Sequence, residues 1–337
     1  MIVKYDKIIT KIIHITENDM KTVVLDGFAV NPGDLSWDFL SKYGDYTVYE
    51  KTPYERVAEL ACDAEAVFTN RVNVDRAILD ACPSIKYVSA LGTGYDMIDV
   101  AACRERGVEV CNVPAYSTPS VAQLAFTLLL SLTTDVAGLT NIVKEGKWTG
   151  IPGFAYQNVR FTELKDKCVG VYGCGAIGEC FARICLAFGM RVLAYRRTAE
   201  HGMRDGIEYT DADTLLRESD YVSFHCPLTA ETRGMVNAEF IEKMKQGAII
   251  INTSRGAVLN EPDVAAALHS GRLGGAGVDV LAVEPALPDN PLLTAPNCLI
   301  TPHSAWTSIE SRRRLIDVLD RNLAEFTATG KGINRVF

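Results

Sequence analysis

From residue 20 onward, short apolar runs rich in β-branched residues alternate with amphipathic stretches. The apolar runs predict strands, and the stretches between them predict helices. The predicted strands are 22–25, 46–49, 66–69, 86–90 and 108–111, and the predicted helices are 34–42, 53–62, 74–81 and 97–106. Alternation of this kind is typical of parallel strands covered by helices.

A second alternation follows a long helix predicted over 118–134, which is apolar on most faces at 121–132 and is therefore expected to be buried. A loop-rich segment at 145–166 comes next. The strands predicted after it lie near 168–172, 191–195, 220–225, 248–252, 276–281 and 298–301. Six strands with intervening helices are typical of a complete dinucleotide-binding unit. A last helix, predicted over 307–328, has no strand after it and is expected to pack on the first domain.

These patterns predict an α/β protein of two domains. A Rossmann dinucleotide-binding domain is expected at 118–306, and a smaller flavodoxin-like parallel domain is expected at 20–117 plus 307–337. Residues 1–19 are interpreted as an N-terminal extension without a catalytic role, since Met20 leads directly into the first strand. An added edge strand is the alternative interpretation of this segment.

Composition narrows the class of protein. The 337 residues are 48% hydrophobic and 23% charged, as in ordinary soluble proteins of two domains. A net charge of −8 without a basic run argues against nucleic-acid binding, and no apolar run approaches the roughly 18 residues that span a bilayer. The ten cysteines include no C-x-x-C pair, so no metal site is expected, and free thiols in this number favour the cytoplasm.

A glycine motif opens the second alternation. The run at 169–178 combines a strand, the pattern G-x-G-x-x-G and the start of a helix, an arrangement that binds a dinucleotide pyrophosphate. Gly173 permits the tight turn, Gly175 lets the pyrophosphate approach the backbone, and Gly178 allows close packing of the helix on the strand. The residues predicted to line the phosphates are Gly173, Gly175, Ala176, Ile177 and Gly178.

The end of the next strand indicates which dinucleotide binds. An acidic residue about 20 residues after the motif usually holds the adenosine ribose of NAD. No Asp or Glu lies between Glu179 and Glu200, and Arg196 and Arg197 stand there instead. A guanidinium suits a 2′-phosphate, so NADPH is predicted to be preferred over NADH. Solvated turn residues are the alternative interpretation of these two arginines.

Three later segments follow predicted strands of the same domain, at the sheet edge where ligands bind in folds of this type. They carry Arg255, Glu284 and His303, in that order. A planar guanidinium can hold both oxygens of a carboxylate, and a histidine is the usual proton donor to the alkoxide that hydride transfer forms. A carboxylate beside that histidine favours its protonated form. Each residue alone has an ordinary structural explanation, whereas the ordered series predicts a keto-acid reductase.

Together these residues resemble the D-isomer-specific 2-hydroxyacid dehydrogenase family, closest to its glycerate dehydrogenase (hydroxypyruvate reductase) branch. The resemblance extends from about residue 20 to the end of the chain and also rests on the runs at 24–27, 31–37, 91–96, 112–114 and 120–123. It implies NAD(P)H-dependent reduction of a small 2-keto acid to the D-2-hydroxy acid. Hydroxypyruvate and glyoxylate are the favoured substrates, giving D-glycerate and glycolate.

The resemblance also implies catalytic roles. Arg255 would hold the carboxylate and carbonyl oxygen of the substrate, His303 would donate the proton, and Glu284 would keep His303 charged. The domain at 20–117 plus 307–337 becomes the substrate-binding domain. The backbone amides there that would also hold the carboxylate belong to Leu91, Gly92, Thr93 and Gly94.

Further cofactor contacts are implied in the same way. Asp279 would orient the nicotinamide carboxamide, while Thr253, Cys226 and Pro227 would line the cofactor site. His225 resembles a structural residue at a strand end rather than a second base. The family implies a homodimer in which the 118–165 region embraces the partner, with simple core packing as the alternative reading of its apolar residues.

Two departures from the family pattern matter. Arg196 replaces the acid typical of NAD-using members, and Ser304 follows the catalytic histidine where many relatives carry an apolar residue or glycine. Another 2-keto acid, such as phenylpyruvate or pyruvate, stays open as the substrate. A nucleotide-sensing corepressor is the alternative from another functional class, although this chain carries no extra tail of the kind such proteins use. The physiological direction stays open.

Overall fold

The structure is a computed structural model that describes residues 19–151, 153–156 and 161–337. The N-terminal extension interpreted from the sequence lies outside the described residues, apart from Asp19. The chain divides into two compact units. The first unit comprises the residues up to Ser117 together with Thr307–Phe337, and the second unit comprises Thr118–Trp306.

The first unit contains a parallel five-stranded sheet. Its strands are β1 (Thr22–Val24), β2 (Tyr46–Val48), β3 (Ala66–Thr69), β4 (Tyr87–Ala90) and β5 (Glu109–Cys111). The helices between them are α1 (Val57–Ala61), α2 (Arg76–Ala81) and α3 (Val100–Glu105). Neighbouring strands are all parallel, in the order β2-β1-β3-β4-β5. This is the strand order of flavodoxin-like sheets and confirms that part of the predicted fold.

The helix predicted over 34–42 is wrong at its start. The structure has only a short 3-10 helix at Asp38–Lys42. Ahead of it, Asn31 Oδ1 accepts the backbone N–H groups of Gly33 and Leu35, each at 3.0 Å. Gly33 has φ +115°, which lies outside the helical region. A side-chain-capped turn therefore replaces the first part of the predicted helix.

The second unit contains a sheet of eight strands. They are β6 (Cys168–Tyr172), β7 (Arg191–Tyr195), β8 (Gly202–Arg204), β9 (Ile207–Tyr209), β10 (Tyr221–Phe224), β11 (Ala248–Asn252), β12 (Leu273–Val278) and β13 (Cys298–Ile300). The helices are α4 (Thr118–Thr134), α5 (Val136–Lys144), α6 (Ala176–Ala187), α7 (Ala212–Glu218), α8 (Ala238–Glu242) and α9 (Glu261–His269). The strand order is β13-β12-β11-β10-β6-β7-β9-β8, so the direction of winding reverses beside β6. Ligands of such sheets bind at this reversal, outside the carboxyl ends of the strands.

The hairpin β8–β9 was not predicted. Strand β9 pairs parallel with β7, and β8 runs antiparallel at the sheet edge. Asp205 and Gly206 join the two strands with φ +50° and φ +83°. Positive φ at both central residues is typical of the two-residue turn that Asp-Gly favours. The Asp-Gly signal was present in the sequence, but the residues of β8 are all exposed and form no apolar run.

Strand β12 begins and ends three residues before the predicted 276–281. The strand contains Gly274, Gly275 and Gly277, which do not have the side chains that mark a strand in a sequence. The glycines are there for packing. A Cβ on Gly277 would lie 2.9 Å from Leu128 Cβ of α4, so α4 packs directly on the strand backbone.

Helix α4 has the predicted bounds and is a core helix of the second unit. Phe126, Leu128 and Leu129 are buried against the sheet. Within the described residues no single helix is long and apolar enough to cross a membrane, although α4 and α5 pass that test jointly as a pair bent by 49°. Helix α5 was not predicted.

The C-terminal helix α10 (Ile309–Thr329) packs in the first unit. The ring of Phe326 lies 4.8 Å from that of Tyr87, and Arg312 makes two 2.6 Å hydrogen bonds to Asp34. The first unit is therefore built from both ends of the described chain.

Candidate active site

The glycine motif forms a tight turn between β6 and α6. Gly173 has φ +96°, and a Cβ there would lie 2.6 Å from the backbone nitrogen of Cys226. A Cβ on Gly178 would lie 2.6 Å from the carbonyl oxygen of Gly173. Only glycine fits either position. Gly175 precedes α6 with no side-chain cap, so the first backbone N–H groups of the helix can take a phosphate.

The turn is bonded to the end of β7, where the two arginines begin. The carbonyl oxygen of Tyr195 accepts the N–H of Gly173 at 2.9 Å and the N–H of Cys174 at 3.3 Å. Arg196 and Arg197 follow directly, and both are exposed. The residues predicted to hold the phosphates and those predicted to read the ribose therefore share one edge of the sheet.

A buried hydroxyl group lies at the carboxyl end of β11. Thr253 is 8% exposed, and its Oγ1 has no hydrogen-bond partner within the described ranges. The chain around it is held by Asn252, whose side chain bonds the N–H of Ser254 and the carbonyl oxygen of Arg255. Since a buried hydroxyl normally has a partner, this one is suited to a ligand atom. A nicotinamide cofactor in the predicted site would supply such an atom.

His303 and Glu284 are in direct contact. His303 Nδ1 lies 2.6 Å from Glu284 Oε2, and the two side chains are 29% and 20% exposed. The other carboxylate oxygen of Glu284 accepts the N–H of Leu281 at 3.1 Å. The carboxylate is therefore fixed by its own loop, and it fixes the orientation of the imidazole ring in turn.

Asp279 holds the loop that carries His303. Its carboxylate accepts hydrogen bonds from Thr301 Oγ1 at 2.6 Å and from the backbone N–H groups of Ser304 and Ala305, each at 2.9 Å. Its backbone carbonyl accepts the N–H of His303 at 2.7 Å. His303 has φ +53°, a conformation that needs such support. The sequence predicted a cofactor contact for Asp279 and missed this anchoring role.

Arg255 lies beside the segment that carries Glu284. A Cβ on Gly256 would overlap the backbone of Leu281 and Ala282, so the two segments touch through their main chains. Arg255 itself is partly exposed, and its guanidinium donates to the carbonyl oxygen of Ser254 at 2.9 Å. The structure thus brings the three residues of the predicted series to one edge of the sheet.

Glu261 supports the segment that carries Glu284, a role that the sequence did not predict. Its carboxylate accepts the N–H of Ala282 at 2.8 Å and the side-chain amide of Asn290 at 3.0 Å. It lies in the first turn of α9, where an acid also favours the helix. Its position at a helix start gave no hint of this second task.

The predicted carboxylate-binding loop at 91–94 follows β4 in the first unit. Asn70 Nδ2 donates to the carbonyl oxygen of Leu91 at 2.9 Å, and Thr93 Oγ1 donates to that of Val113 at 2.8 Å. In the described part of the chain, the backbone N–H groups of Gly92, Thr93 and Gly94 donate to no protein acceptor. These three groups are therefore suited to an anion. The prediction for Leu91 is wrong, because its N–H donates to the carbonyl oxygen of Thr69 at 2.7 Å as the sheet pairing continues past β4.

His225 occupies a structural position. Its Nε2 lies 2.9 Å from Ser223 Oγ, and its ring packs 5.2 Å from that of Phe181. Burial lowers the pKa of His225 to about 3, so the ring is neutral at physiological pH. A neutral, packed histidine is a poor proton donor.

Among the described residues, no group of three or more His, Cys, Asp or Glu could hold a metal ion.

Comparisons with known proteins identify the family. The model of the D-isomer-specific 2-hydroxyacid dehydrogenase NAD-binding domain matches residues 126–305. A hydroxypyruvate reductase from Blautia hydrogenotrophica is 43% identical over 311 residues, covering 91% of this chain and 97% of the relative. A glycerate dehydrogenase from Methylorubrum extorquens is 34% identical over 318 residues, covering 94% of this chain and 98% of the relative. One similar solved structure is that of an NADPH-dependent glyoxylate/hydroxypyruvate reductase from Sinorhizobium meliloti in complex with citrate. Its TM-score is 0.80 at 27% sequence identity, and the match covers 94% of this chain and 97% of that chain.

Fold and site define a nicotinamide-dependent oxidoreductase. The chain belongs to the D-isomer-specific 2-hydroxyacid dehydrogenase family, in its glycerate dehydrogenase and hydroxypyruvate reductase branch. Its reaction class is the oxidoreduction of D-2-hydroxy acids. The comparisons confirm the family, the fold class and the enzyme class predicted from the sequence.

Proposed function

We propose that the protein uses NADPH to reduce hydroxypyruvate or glyoxylate, giving D-glycerate or glycolate. The observation that carries the proposal is the 2.6 Å contact between His303 and Glu284, at the sheet edge that also bears Arg255. Relatives named hydroxypyruvate reductase, glycerate dehydrogenase and glyoxylate reductase support this choice of substrates.

In this mechanism His303 supplies the proton. Because Nδ1 is bonded to Glu284, Nε2 is the nitrogen assigned to proton transfer. The carboxylate of Glu284 stabilises the charged ring, which becomes neutral when the proton moves to the substrate oxygen. In the reverse reaction the same nitrogen takes the proton from the hydroxyl group.

Arg255 holds the substrate. Its guanidinium binds the carboxylate and the carbonyl oxygen, and so orients the carbonyl group relative to His303. In the first unit, the backbone N–H groups of Gly92, Thr93 and Gly94 have no protein acceptor among the described residues and would bind a carboxylate. The Arg255 guanidinium and neutral backbone N–H groups are both suited to the substrate carboxylate, whose charge does not change in the reaction.

NADPH fits the residues of the second unit. When bound, it supplies the hydride that adds to the keto carbon. The buried hydroxyl of Thr253 and the glycine turn are the observations that support this fit. The residues that would hold the cofactor are Gly173, Gly175, Ala176, Ile177, Gly178, Arg196, Arg197, Cys226, Pro227, Thr253 and Asp279.

The proposed assembly is a homodimer in the cytoplasm. Exposed apolar side chains after α4 support an interface, among them Val136, Trp148 and Phe154, the last 89% exposed. All ten cysteines are free thiols, which supports a reducing compartment. Sedimentation equilibrium tests the dimer, and a monomer at micromolar concentration would contradict it.

A substrate and cofactor panel tests the activity. Purified protein is assayed with NADPH and with NADH against hydroxypyruvate, glyoxylate, pyruvate, phenylpyruvate and oxaloacetate. The proposal expects the highest kcat/KM with NADPH and with hydroxypyruvate or glyoxylate. A preference for NADH would refute the cofactor assignment, and a preference for phenylpyruvate or pyruvate would refute the substrate assignment.

A further inference from the structure

The hairpin β8–β9, which the sequence did not predict, lies beside the end of β7, where the adenosine ribose of the cofactor is predicted to bind. Tyr209 of β9 pairs with Ala194 of β7, one residue before the carboxyl end of that strand. The loop that leaves this end carries Arg196 and Arg197 and closes with a 3.0 Å hydrogen bond from the N–H of Ala199 to the carbonyl oxygen of Arg196. The hairpin therefore extends the sheet next to the predicted 2′-phosphate site.

Tyr209 contacts the glycine turn itself. Its hydroxyl lies 3.5 Å from Cys174 Sγ, and Cys174 is the residue between the first two glycines of the motif. Burial of Cys174 is nearly complete, at 2% exposed, so the contact is within the packed turn. The ring of Tyr209 thus spans from the hairpin to the loop that takes the phosphates.

Arg204 of β8 lies over that ring. It is opposite Ile207 in the hairpin register, and Ile207 precedes Tyr209 by two residues, so the side chains of Arg204 and Tyr209 share a face. The guanidinium carbon of Arg204 is 5.2 Å from the ring centroid of Tyr209. Stacking on an aromatic face holds a guanidinium in place while its N–H groups stay available at the edges.

The same guanidinium is bonded to the loop after β7. Arg204 Nη2 donates to the carbonyl oxygen of Glu200 at 3.2 Å and lies 3.8 Å from the Glu200 carboxylate, which is itself 95% exposed. The backbone of Arg204 is at the far end of the hairpin, yet its side chain reaches the loop that bears Arg196 and Arg197. It remains half exposed, with 51% of the side chain accessible.

We propose that Arg204 is a third specificity-determining cation for the 2′-phosphate of NADPH, held in position by the ring of Tyr209 and the carbonyl oxygen of Glu200. The inference rests on the proposed NADPH dependence. Arg196 and Arg197 are exposed and must lose side-chain freedom to bind, whereas Arg204 is already oriented. A phosphate with three acceptor oxygens can use more than one guanidinium.

The test compares R204A with R217A, a matched control that removes an exposed arginine from α7 of the same unit. In R204A, kcat/KM for NADPH is expected to fall about tenfold or more, the scale of one charge-assisted hydrogen bond. Values for NADH are expected to stay within about twofold, since NADH carries no 2′-phosphate. R217A is expected to match the wild type with both cofactors.

A binding probe and a second variant separate the outcomes. Adenosine 2′,5′-bisphosphate should inhibit R204A more weakly than the wild type, while ADP should inhibit both equally. Y209L, which removes the ring, should lose part of the same selectivity, and Y209F should keep it. If the wild type prefers NADPH and R204A keeps its full selectivity, this inference is wrong and the proposed function stands. An equal loss with both cofactors would also overturn it, and a wild type that prefers NADH would overturn both.

Discussion

At the scale of single residues, the contact between His303 and Glu284 separates proton transfer from substrate binding. Replacing His303 with alanine should lower kcat about 10²–10⁴-fold, the usual contribution of a general acid. E284Q keeps the size of the side chain and an acceptor oxygen but removes the charge that stabilises the protonated ring. It should therefore lower kcat less than H303A does, with KM for the keto acid little changed.

Steady-state kinetics of the two variants against the wild type measure this difference. The matched control is E239Q, which alters an exposed carboxylate in the first turn of α8 and should match the wild type. Near-full turnover by H303A would show that another group moves the proton.

Asp279 distinguishes two possible roles at one residue. Because its carboxylate accepts N–H groups of both Ser304 and Ala305, D279N turns an acceptor into a group that also donates and so disturbs the loop. Loss of these bonds should cost about 1–3 kcal/mol of stability. If the residue positions His303, kcat should fall with KM for NADPH nearly constant. If it mainly holds the nicotinamide carboxamide, KM for NADPH should rise.

Initial rates over a matrix of cofactor and substrate concentrations give both constants. S304A, which leaves the backbone N–H in place, is the control and should retain most activity. A D279N protein with wild-type kcat and stability would contradict the anchoring role that the hydrogen bonds indicate.

At the scale of elements, the close contact between the Arg255 and Glu284 segments depends on Gly256. In G256A the new Cβ would overlap the main chain at Leu281, so the two segments must separate. The expected result is a loss of more than about 1 kcal/mol, as for overpacked cores, together with a lower kcat. G271A is the matched control, because a Cβ there meets nothing within 4 Å and only the positive φ of Gly271 is strained.

Urea unfolding and kcat are measured for both variants. The stability of G271A should fall by no more than about 1 kcal/mol while its kcat is kept. Equal behaviour of the two variants would mean that the packing at Gly256 does not position the catalytic segments.

Elements with a periodic pattern could be predicted from the sequence, and elements fixed by a few side chains could not. Helix α4 was predicted with its bounds, because nine of the twelve residues at 121–132 are apolar. The segment at 34–42 has helical periodicity, but the Asn31 side chain bonds two backbone N–H groups ahead of it and prevents the first turns. In the hairpin β8–β9, strand β8 is exposed along its whole length, so no apolar run marks it in the sequence.

The site could be predicted in the same uneven way. Arg255, Glu284 and His303 are recognisable because each follows a strand, and strand ends meet at one edge of a parallel sheet. The supporting contacts of Asp279 and Glu261 depend on loop conformations that no local pattern encodes. Arg204 is a further example, since its reach to the loop after β7 depends on the ring of Tyr209.

At the scale of the whole molecule, His225 links folding to pH. Burial lowers its pKa from the ordinary 6.5 to about 3, so the folded protein leaves it neutral where the unfolded chain protonates it. The unfolded state therefore binds one more proton between about pH 6.5 and 3, and the free energy of unfolding should fall as pH decreases through that range. The slope from one such group is at most about 1.4 kcal/mol per pH unit.

H225N removes this titration while keeping a polar group near Ser223. Its free energy of unfolding should depend less steeply on pH than that of the wild type below about pH 6.5, even if the variant is less stable at neutral pH. S223A removes the 2.9 Å contact but leaves the imidazole packed on Phe181, so it should keep the wild-type slope. Urea titrations followed by circular dichroism from neutral pH to about pH 4.5 give the three slopes. Parallel curves for H225N and the wild type would mean that His225 titrates alike in the folded and unfolded states, and the acid sensitivity of the molecule would then come from its carboxylates.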